Sequence, residues 1–266
     1  MDLRLAGKRA LVTGSSSGLG EAMVKLLAAE GVAVVVHGRH VGRTNAVAEA
    51  IRAAGGSAEV ALGDLATDAG ADAVAAAALV GGPIDILVNN AGAYDHRSWT
   101  EATAAIWAET YNANVISAVR MIQRLVPPMR ARHWGRVIQI GGGLSYQPSA
   151  TQPHYNASLA ARHTLAVSLA RDLKDSGVTS NVVAPGAILV GEVQGWITGL
   201  APAHGWGETW EAIEHAATEE LVPNDVGRLG RPEEIAVAVA YLASPVADYV
   251  SGATIRVDGG TIRSVM

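Results

Sequence analysis

The feature that most constrains this chain lies near its start, where a strand, a glycine-containing turn and a helix are predicted in succession. The apolar run Ala10–Val12 predicts a buried strand, and apolar residues at helical spacing predict a helix over residues 22–29. Gly14, Gly18 and Gly20 lie in the turn between them. This order places a pyrophosphate at a helix N-terminus. A flexible glycine loop is the alternative, but the flanking strand and helix patterns favour phosphate binding.

The three glycines differ in the task that this arrangement gives them. Gly14 permits the sharp exit from the strand, and Gly18 lets backbone N–H groups approach the phosphates. Gly20 lets the helix and the strand pack closely together. The predicted phosphate-binding turn also includes Ser16, Ser17 and Leu19.

Composition excludes several classes of function. The chain has 266 residues, 49% of them hydrophobic, and is long enough to bury one large α/β core. A net charge of −5 without basic clusters argues against nucleic acid as a partner. Cysteine is absent, which excludes disulfides and thiolate chemistry, and we predict no metal site. We expect a cytoplasmic protein, because the chain lacks a signal-peptide pattern and any apolar run near the ~20 residues of a membrane span.

Apolar strand-like runs alternate with helical patterns along the chain. Six further runs predict strands at residues 32–36, 58–62, 84–88, 137–140, 178–183 and 254–257. Helical spacing is found over residues 43–54, 71–80, 103–132, 155–176 and 233–243. Nearly continuous apolar strands are typical of a parallel sheet with helices on both faces. We predict one domain over residues 1–266, with an irregular substrate-binding lobe at about 187–226.

Short motifs in a fixed order connect this chain to a known family. They are Thr13-Gly14, Asp64-Leu65, the turn Asn89–Gly92, Asn114, Tyr155–Ser158, Pro185-Gly186 and Val257–Gly260. With these motifs the chain resembles the classical short-chain dehydrogenase/reductase family over essentially its whole length. The resemblance implies an α/β fold with a Rossmann-type, doubly wound parallel sheet of seven strands and helices on both faces. It also implies a nicotinamide dinucleotide at the C-terminal strand ends, a small-molecule substrate, and a homotetramer or homodimer built on the long helices.

The end of the second predicted strand indicates which dinucleotide binds. Gly38 stands where the family's NAD-binding aspartate would be, so the acceptor for the ribose hydroxyls is missing. Arg39 follows, with His40 and Arg43 nearby, and a guanidinium can bind a 2′-phosphate bidentately. We therefore predict NADP(H) as the cofactor. The alternative is that Arg39 only projects into solvent.

The resemblance implies further cofactor contacts outside the glycine turn. Asp64 resembles the family residue that holds the adenine, and the alternative is that it caps the next helix. Asn90 resembles part of the turn that supports the adenosine, and the alternative is simple turn chemistry. The predicted contacts are Asp64, Leu65, Asn90, Ala91, Gly92, Pro185, Gly186 and Ile188.

The resemblance also locates the catalytic positions, and the chain departs from several of them. Tyr155 matches the family's proton-transferring tyrosine, and Asn114 matches the asparagine that holds a water of the proton relay. Leu159 occupies the position of the family's lysine, and Gly142 that of the serine that polarises the substrate oxygen. Val190 replaces the threonine that often anchors the carboxamide. These departures leave Tyr155 without its usual partners.

The missing lysine restricts what Tyr155 can do. A tyrosine has an ordinary pKa of ~10, and nothing in the motif lowers it, so the phenol is a poor base but still a usable proton donor. Ser145, on the loop after the fifth predicted strand, is the candidate replacement for the serine; the alternative is a turn serine bonded to backbone. His154, Arg162 and His163 are less favoured as replacements for the lysine, because of their directions or distances along the helix.

We expect an NADP(H)-dependent reductase of a carbonyl, an enone or an imine, with Tyr155 as the proton donor. Trp196, Trp206 and Trp210 in the lobe favour a largely apolar substrate, although they would also fit packing of the lobe. Two rival hypotheses remain open: a catalytically reduced NADP-binding or scaffold protein, and a non-redox enzyme on the same fold.

Overall fold

The computed structural model describes residues 2–264, and its centre is one seven-stranded parallel sheet in the order β3-β2-β1-β4-β5-β6-β7. The predicted doubly wound fold is thereby confirmed, while residues 1, 265 and 266 of the predicted domain lie outside the described residues. The strands are β1 Arg9–Val12, β2 Ala33–Gly38, β3 Ala58–Leu62, β4 Ile86–Asn89, β5 Gly135–Ile140, β6 Val178–Pro185 and β7 Thr254–Val257.

Helices cover both faces of this sheet. The helices are α1 Gly18–Ala29, α2 Val41–Ala53, α3 Asp68–Leu79, α4 Ala104–Tyr111, α5 Ser117–Ala131, α6 Pro153–Asp172, α7 Gly191–His204, α8 Trp210–Leu221 and α9 Pro232–Ala243. One apolar core joins the sheet to α1, α2 and α9, and a second joins it to α3, α5 and α6. Because every strand pair is parallel, the strand C-termini meet at one edge, where the glycine turn also lies.

The sequence predicts one long helix over residues 103–132. This prediction is wrong in one respect, because the helix is divided into two in the structure. A π-helical turn, Asn112–Ile116, separates α4 from α5. Such a turn inserts one extra residue into the helix and is frequent at functional sites. Here it carries Asn114, the residue that the resemblance assigns to the catalytic centre.

The segment predicted to be irregular contains two helices, α7 and α8. Their inner faces enclose a small apolar cluster that includes Ile197, Trp206 and Ile213. Gly195, Gly199 and Pro202 interrupt the sequence of α7, which explains why its apolar period is weak. Among residues 2–264, no helix has the length and apolar character needed to cross a membrane.

Candidate active site

The glycine turn between β1 and α1 has the backbone geometry that its sequence predicts. Gly14 and Gly18 have φ of 66° and 57°, a region that favours glycine. A Cβ on Gly20 would stand 2.3 Å from the Gly14 carbonyl oxygen, so helix and turn can meet this closely only at a glycine. The N-cap, Ser17, makes no side-chain hydrogen bond to the helix in the described structure. The first-turn N–H groups of α1 therefore suit an anionic ligand.

The predicted Asn90–Gly92 turn supports the glycine turn directly. The Thr13 hydroxyl accepts hydrogen bonds from the backbone N–H groups of Asn90 and Ala91, both at 2.9 Å. The Asn90 side-chain amide donates to the carbonyls of Thr13 and Gly14, at 2.9 and 3.0 Å. These bonds join the ends of β1 and β4, so the Asn-Asn-Ala-Gly motif fixes the shape of the phosphate-binding turn.

His37 is a supporting residue that the sequence analysis missed. Its Nδ1 accepts from the Gly14 N–H at 2.8 Å, and its Nε2 lies 3.1 Å from the Gly63 carbonyl oxygen. Because Nδ1 accepts and Nε2 donates, the ring is the neutral tautomer. Burial lowers the pKa of His37, opposed by its bond to Gly63. A histidine at the end of a strand can be recognised from sequence, but these two partners cannot.

The space around Gly38 bears on the choice of cofactor. A Cβ there would stand 2.4 Å from the Thr44 hydroxyl and 2.8 Å from that of Ser16, so an aspartate cannot fit without rearrangement. Arg39, His40 and Arg43 follow it and are exposed. No ion pair of these three side chains is found within residues 2–264. The end of β2 therefore presents the guanidinium groups of Arg39 and Arg43, with no carboxylate at position 38.

Two further predicted cofactor residues, Asp64 and Leu65, follow the end of β3. The Asp64 carboxylate accepts from the Ala66 N–H at 3.0 Å, and α3 is capped by Thr67. Asp64 is thus exposed beside the turn and is not the helix cap. Leu65 is buried next to it.

The stretch after β6 passes close to the glycine turn. A Cβ on Gly18 would lie 3.7 Å from a methyl group of Val190, so this stretch approaches the glycine turn. Gly186 donates its N–H to Val257, and Ile188 forms a bridge with Gly230, which fix the path from Pro185 onward.

Tyr155 lies in the first turn of α6, at the edge where the strands end, and is partly exposed. Its ring centroid is 5.9 Å from that of Tyr94. Burial raises the pKa of Tyr155, an effect that Arg162 opposes and Tyr94 reinforces. The phenol is therefore protonated at neutral pH, which is the state that a proton donor requires.

Asn114 is buried in the π-helical turn and makes a complete set of amide contacts. Its Oδ1 accepts from the Ala93 N–H at 2.7 Å, and its Nδ2 donates to the Ala93 carbonyl and to the Ser158 hydroxyl, both at 2.9 Å. The Ser158 hydroxyl in turn donates to the Tyr155 carbonyl at 2.7 Å. Asn114 thereby connects the loop after β4 to the turn of α6 that carries Tyr155.

Three successive glycines after β5 each make room for a large side chain. A Cβ on Gly142 would stand 2.9 Å from Leu159, so the Leu159 side chain occupies the space that a side chain at position 142 would need. A Cβ on Gly141 would stand 2.3 Å from His163, and one on Gly143 would stand 3.1 Å from Ile262. Positions 142 and 159 are therefore coupled by packing.

Ser145 is bonded within its own loop. Its hydroxyl donates to the Gly142 carbonyl at 2.8 Å and lies 3.2 Å from the His163 Nε2. The His163 Nδ1 is 3.2 Å from the Tyr146 hydroxyl. Burial lowers the pKa of His163 to about 4, so the ring is neutral at pH 7. Ser145 must exchange the Gly142 carbonyl for a substrate before it can donate to that substrate.

The three tryptophans of the lobe have different surroundings. Trp206 is buried in the cluster between α7 and α8, and Trp210 packs against it. Trp196 is 44% exposed and stacks on His96, with ring centroids 5.2 Å apart. Trp99 is also exposed. Of the three lobe tryptophans, Trp196 thus presents the most aromatic surface, next to the loop that contains Tyr94, His96 and Trp99.

The fold and the glycine turn define a nucleotide-binding α/β protein. The chain belongs to the short chain dehydrogenase family, which it matches over residues 8–197. It is 35% identical over 268 residues to an uncharacterized oxidoreductase of Bacillus subtilis, with all of both chains covered. The class of this protein is therefore an oxidoreductase of the short chain dehydrogenase type.

Two solved structures show the same architecture with a nucleotide bound. One is L-sorbose reductase from Gluconobacter frateurii complexed with NADPH and L-sorbose, at a TM-score of 0.93 and 32% identity, with all of both chains covered. Another is a 3-oxoacyl (acyl-carrier-protein) reductase from Agrobacterium tumefaciens with NADP bound, at a TM-score of 0.88 and 36% identity, covering 97% of this chain and 96% of that one. The cofactor expected from Gly38 and Arg39 is the one that both of these neighbours hold.

Proposed function

We propose that this protein is an NADPH-dependent reductase in which Tyr155 gives a proton to the substrate. The observation that carries the proposal is a partly exposed, protonated tyrosine on α6, at the same sheet edge as the uncapped N-terminus of α1. The free cations after β2 and the crowding at Gly38 support NADPH over NADH.

The residues that would hold the cofactor surround one groove. The uncapped first turn of α1 suits the pyrophosphate, with Gly14, Gly18 and Gly20 shaping it and Ser16, Ser17 and Leu19 lining it. Arg39 would bind the 2′-phosphate, and Asp64 and Leu65 would hold the adenine. The turn Asn90–Gly92 and the segment from Pro185 and Gly186 to Ile188 complete the groove.

The reaction is a hydride addition followed by protonation at one atom. When bound, the nicotinamide supplies the hydride to the electrophilic carbon. Tyr155 donates its phenolic proton to the oxygen or nitrogen on which the π-electron pair accumulates, and solvent later returns a proton to Tyr155. Asn114 positions Tyr155 through Ser158, and Ser145 is the proposed second donor to the developing anion after it leaves the Gly142 carbonyl.

We propose a carbonyl, enone or imine substrate that reaches Tyr155 between the Tyr94 loop and α7. Exposed aromatic surface from Trp196 and His96 suits a flat or apolar part of such a substrate. A strongly electrophilic substrate fits best, because Gly142 and Leu159 provide no stabilisation of developing negative charge.

A second candidate is a protein that binds NADPH and does not turn it over. The mutual packing of Gly142 and Leu159 favours this alternative, because it fills the positions of two family catalytic side chains with apolar contact.

Binding and turnover experiments separate the two candidates. Quenching of tryptophan fluorescence measures NADPH and NADH binding, and NADPH absorbance then follows oxidation over a panel of ketones, enones and imines. The first candidate predicts preferential NADPH binding and oxidation with at least one substrate. Tight binding without oxidation on the whole panel would favour the second.

A further inference from the structure

Arg162 is a buried cation without a counter-ion in the described structure. Its side chain lies on α6 and is only 3% exposed. No carboxylate within residues 2–264 lies within ion-pair distance of its guanidinium. Burying an unpaired charge is costly, so such residues usually serve a functional site.

The guanidinium is held instead by backbone carbonyls at the catalytic edge. Its Nε donates to the Asn114 carbonyl at 2.5 Å, and one terminal nitrogen donates to the Ile140 carbonyl at 2.7 Å. The other terminal nitrogen donates to the Ala91 carbonyl. Arg162 thus joins the π-helical turn, the end of β5 and the Asn90–Gly92 turn at one point.

Arg162 and Tyr155 lie on one face of α6. Tyr155, Leu159 and Arg162 follow one another at helical spacings of four and three residues, and so share one face. Side chains on a helix lean toward its N-terminus, so a long arginine reaches back past Leu159. One terminal nitrogen would lie 3.5 Å from a Cβ on Gly92, which is part of the exposed turn.

We propose that Arg162 is a positioning residue that supplies, from one turn further along α6, the positive charge absent at Leu159. It fixes the Asn114 carbonyl and the Asn90–Gly92 turn, and its charge stabilises negative charge on Tyr155 as the proton leaves. The proposal rests on the proposed role of Tyr155 as proton donor.

Electrostatics around the phenol agree with this assignment. Two titratable groups act on Tyr155 from the elements packed around it: Arg162 on the same helix and Tyr94 on the loop after β4. Arg162 lowers the pKa of Tyr155, against the larger effect of burial, and Tyr94 raises it. Burial lowers the pKa of Arg162 to about 10, so the guanidinium stays charged at neutral pH.

The test measures the ionisation of Tyr155 itself. A fluorinated tyrosine, which ionises at lower pH than tyrosine, is placed at position 155, and its ¹⁹F resonance is titrated. The titration is repeated in Arg162→Lys and Arg162→Gln; both replace the planar guanidinium, but only Lys keeps the charge. The same probe at the fully exposed Tyr249 is the matched control.

We expect the midpoint at position 155 to rise by about one pH unit or more in Arg162→Gln and to change much less in Arg162→Lys. Adding Leu159→Lys to Arg162→Gln should lower it again. The midpoint at position 249 should be the same in every protein. Equal midpoints at position 155 in all of them, or equal shifts in the Lys and Gln variants, would overturn the proposal.

A second measurement needs no substitution at Arg162 and decides the matter if Arg162→Gln does not fold. In the protein with fluorinated Tyr155, the ¹⁵Nε resonance of Arg162 should shift with the same midpoint as the ¹⁹F resonance. A resonance that stays fixed while the phenol ionises would contradict the proposal. Neither titration depends on turnover, so absence of NADPH oxidation would refute the proposed function separately.

Discussion

Arg39 is exposed one residue beyond β2, and its guanidinium has no ion-pair partner in residues 2–264. Its neighbour Gly38 cannot carry a carboxylate without displacing Thr44 or Ser16. We therefore propose that two adjacent residues set the cofactor choice: Arg39 supplies a cation, and Gly38 excludes an anion.

Replacing Arg39→Gln should weaken NADPH binding about 10- to 100-fold, because a charge-assisted contact contributes roughly 1.5–3 kcal/mol. The affinity for NADH, which lacks the 2′-phosphate, should change little. Fluorescence titration with both cofactors measures this difference. Arg171→Gln, an equal charge change on an exposed residue near the end of α6, is the control. Equal losses for NADPH and NADH would show that Arg39 does not bind the phosphate.

The pKa of His163 predicts a loss of stability in acid. Burial lowers the pKa from 6.5 to about 4, so between these values the unfolded chain binds more protons than the folded one. Stability is therefore complete above about pH 6.5 and falls as the pH decreases toward 4. Between pH 7 and pH 4.5 the melting temperature of the neutral variant His163→Gln should fall less than that of the intact protein. Each kcal/mol of difference in unfolding free energy corresponds to about 2–4 °C. The prediction is wrong if the melting temperatures of the intact protein and of His163→Gln change in parallel with pH.

At the scale of elements, the loop after β5 and helix α6 are matched to each other. Gly142 has an extended backbone, with φ of 179°, so only its contact with Leu159 opposes a side chain there. Leu159 is buried, which limits how far it can move. The side chains at positions 142 and 159 therefore constrain each other's size.

Gly142→Ser alone should destabilise the fold by about 1 kcal/mol or more, because it overpacks this contact. Combined with Leu159→Val, which shortens the opposing side chain, it should cost less than the sum of the two single changes, by at least ~0.5 kcal/mol. Chemical denaturation of the four proteins measures this coupling. Gly142→Ser with Ile262→Val is the matched control, since Ile262 contacts Gly143. Equal coupling free energies in both pairs would show that Gly142 and Leu159 are not matched in size.

The elements also show how far the sequence determines this structure. The strands were predictable because residues such as Leu11, Val35 and Leu87 form nearly unbroken apolar runs. The π-helical turn at Asn114 was not, because neither proline nor glycine marks it between Asn112 and Ile116, and one inserted residue shifts the apolar pattern by a single position. The candidate site residues were located by motif. Their partners, such as Arg162 for the Asn114 carbonyl, depend on contacts between distant segments.

At the scale of the whole molecule, we expect self-association. The resemblance to the family implies a homotetramer or homodimer built on the long helices, and apolar side chains are exposed on two separate parts of the described surface. One part contains Tyr111, just before the π-helical turn, and Ile116 at its end. The other contains Val237 on α9 and Tyr249 after it. Light scattering should give four times, or for a homodimer twice, the 27.4 kDa of one chain. The mass of a single chain at micromolar concentration would contradict this prediction.

The central claim is that Tyr155 is the proton donor of an NADPH-dependent reduction. The most direct measurement is the single-turnover rate of NADPH oxidation by the intact protein and by Tyr155→Phe, with a substrate found in the panel. Loss of the proton donor should slow the reaction about 10²- to 10⁴-fold while NADPH affinity stays unchanged. Oxidation by Tyr155→Phe at the rate of the intact protein would contradict the account.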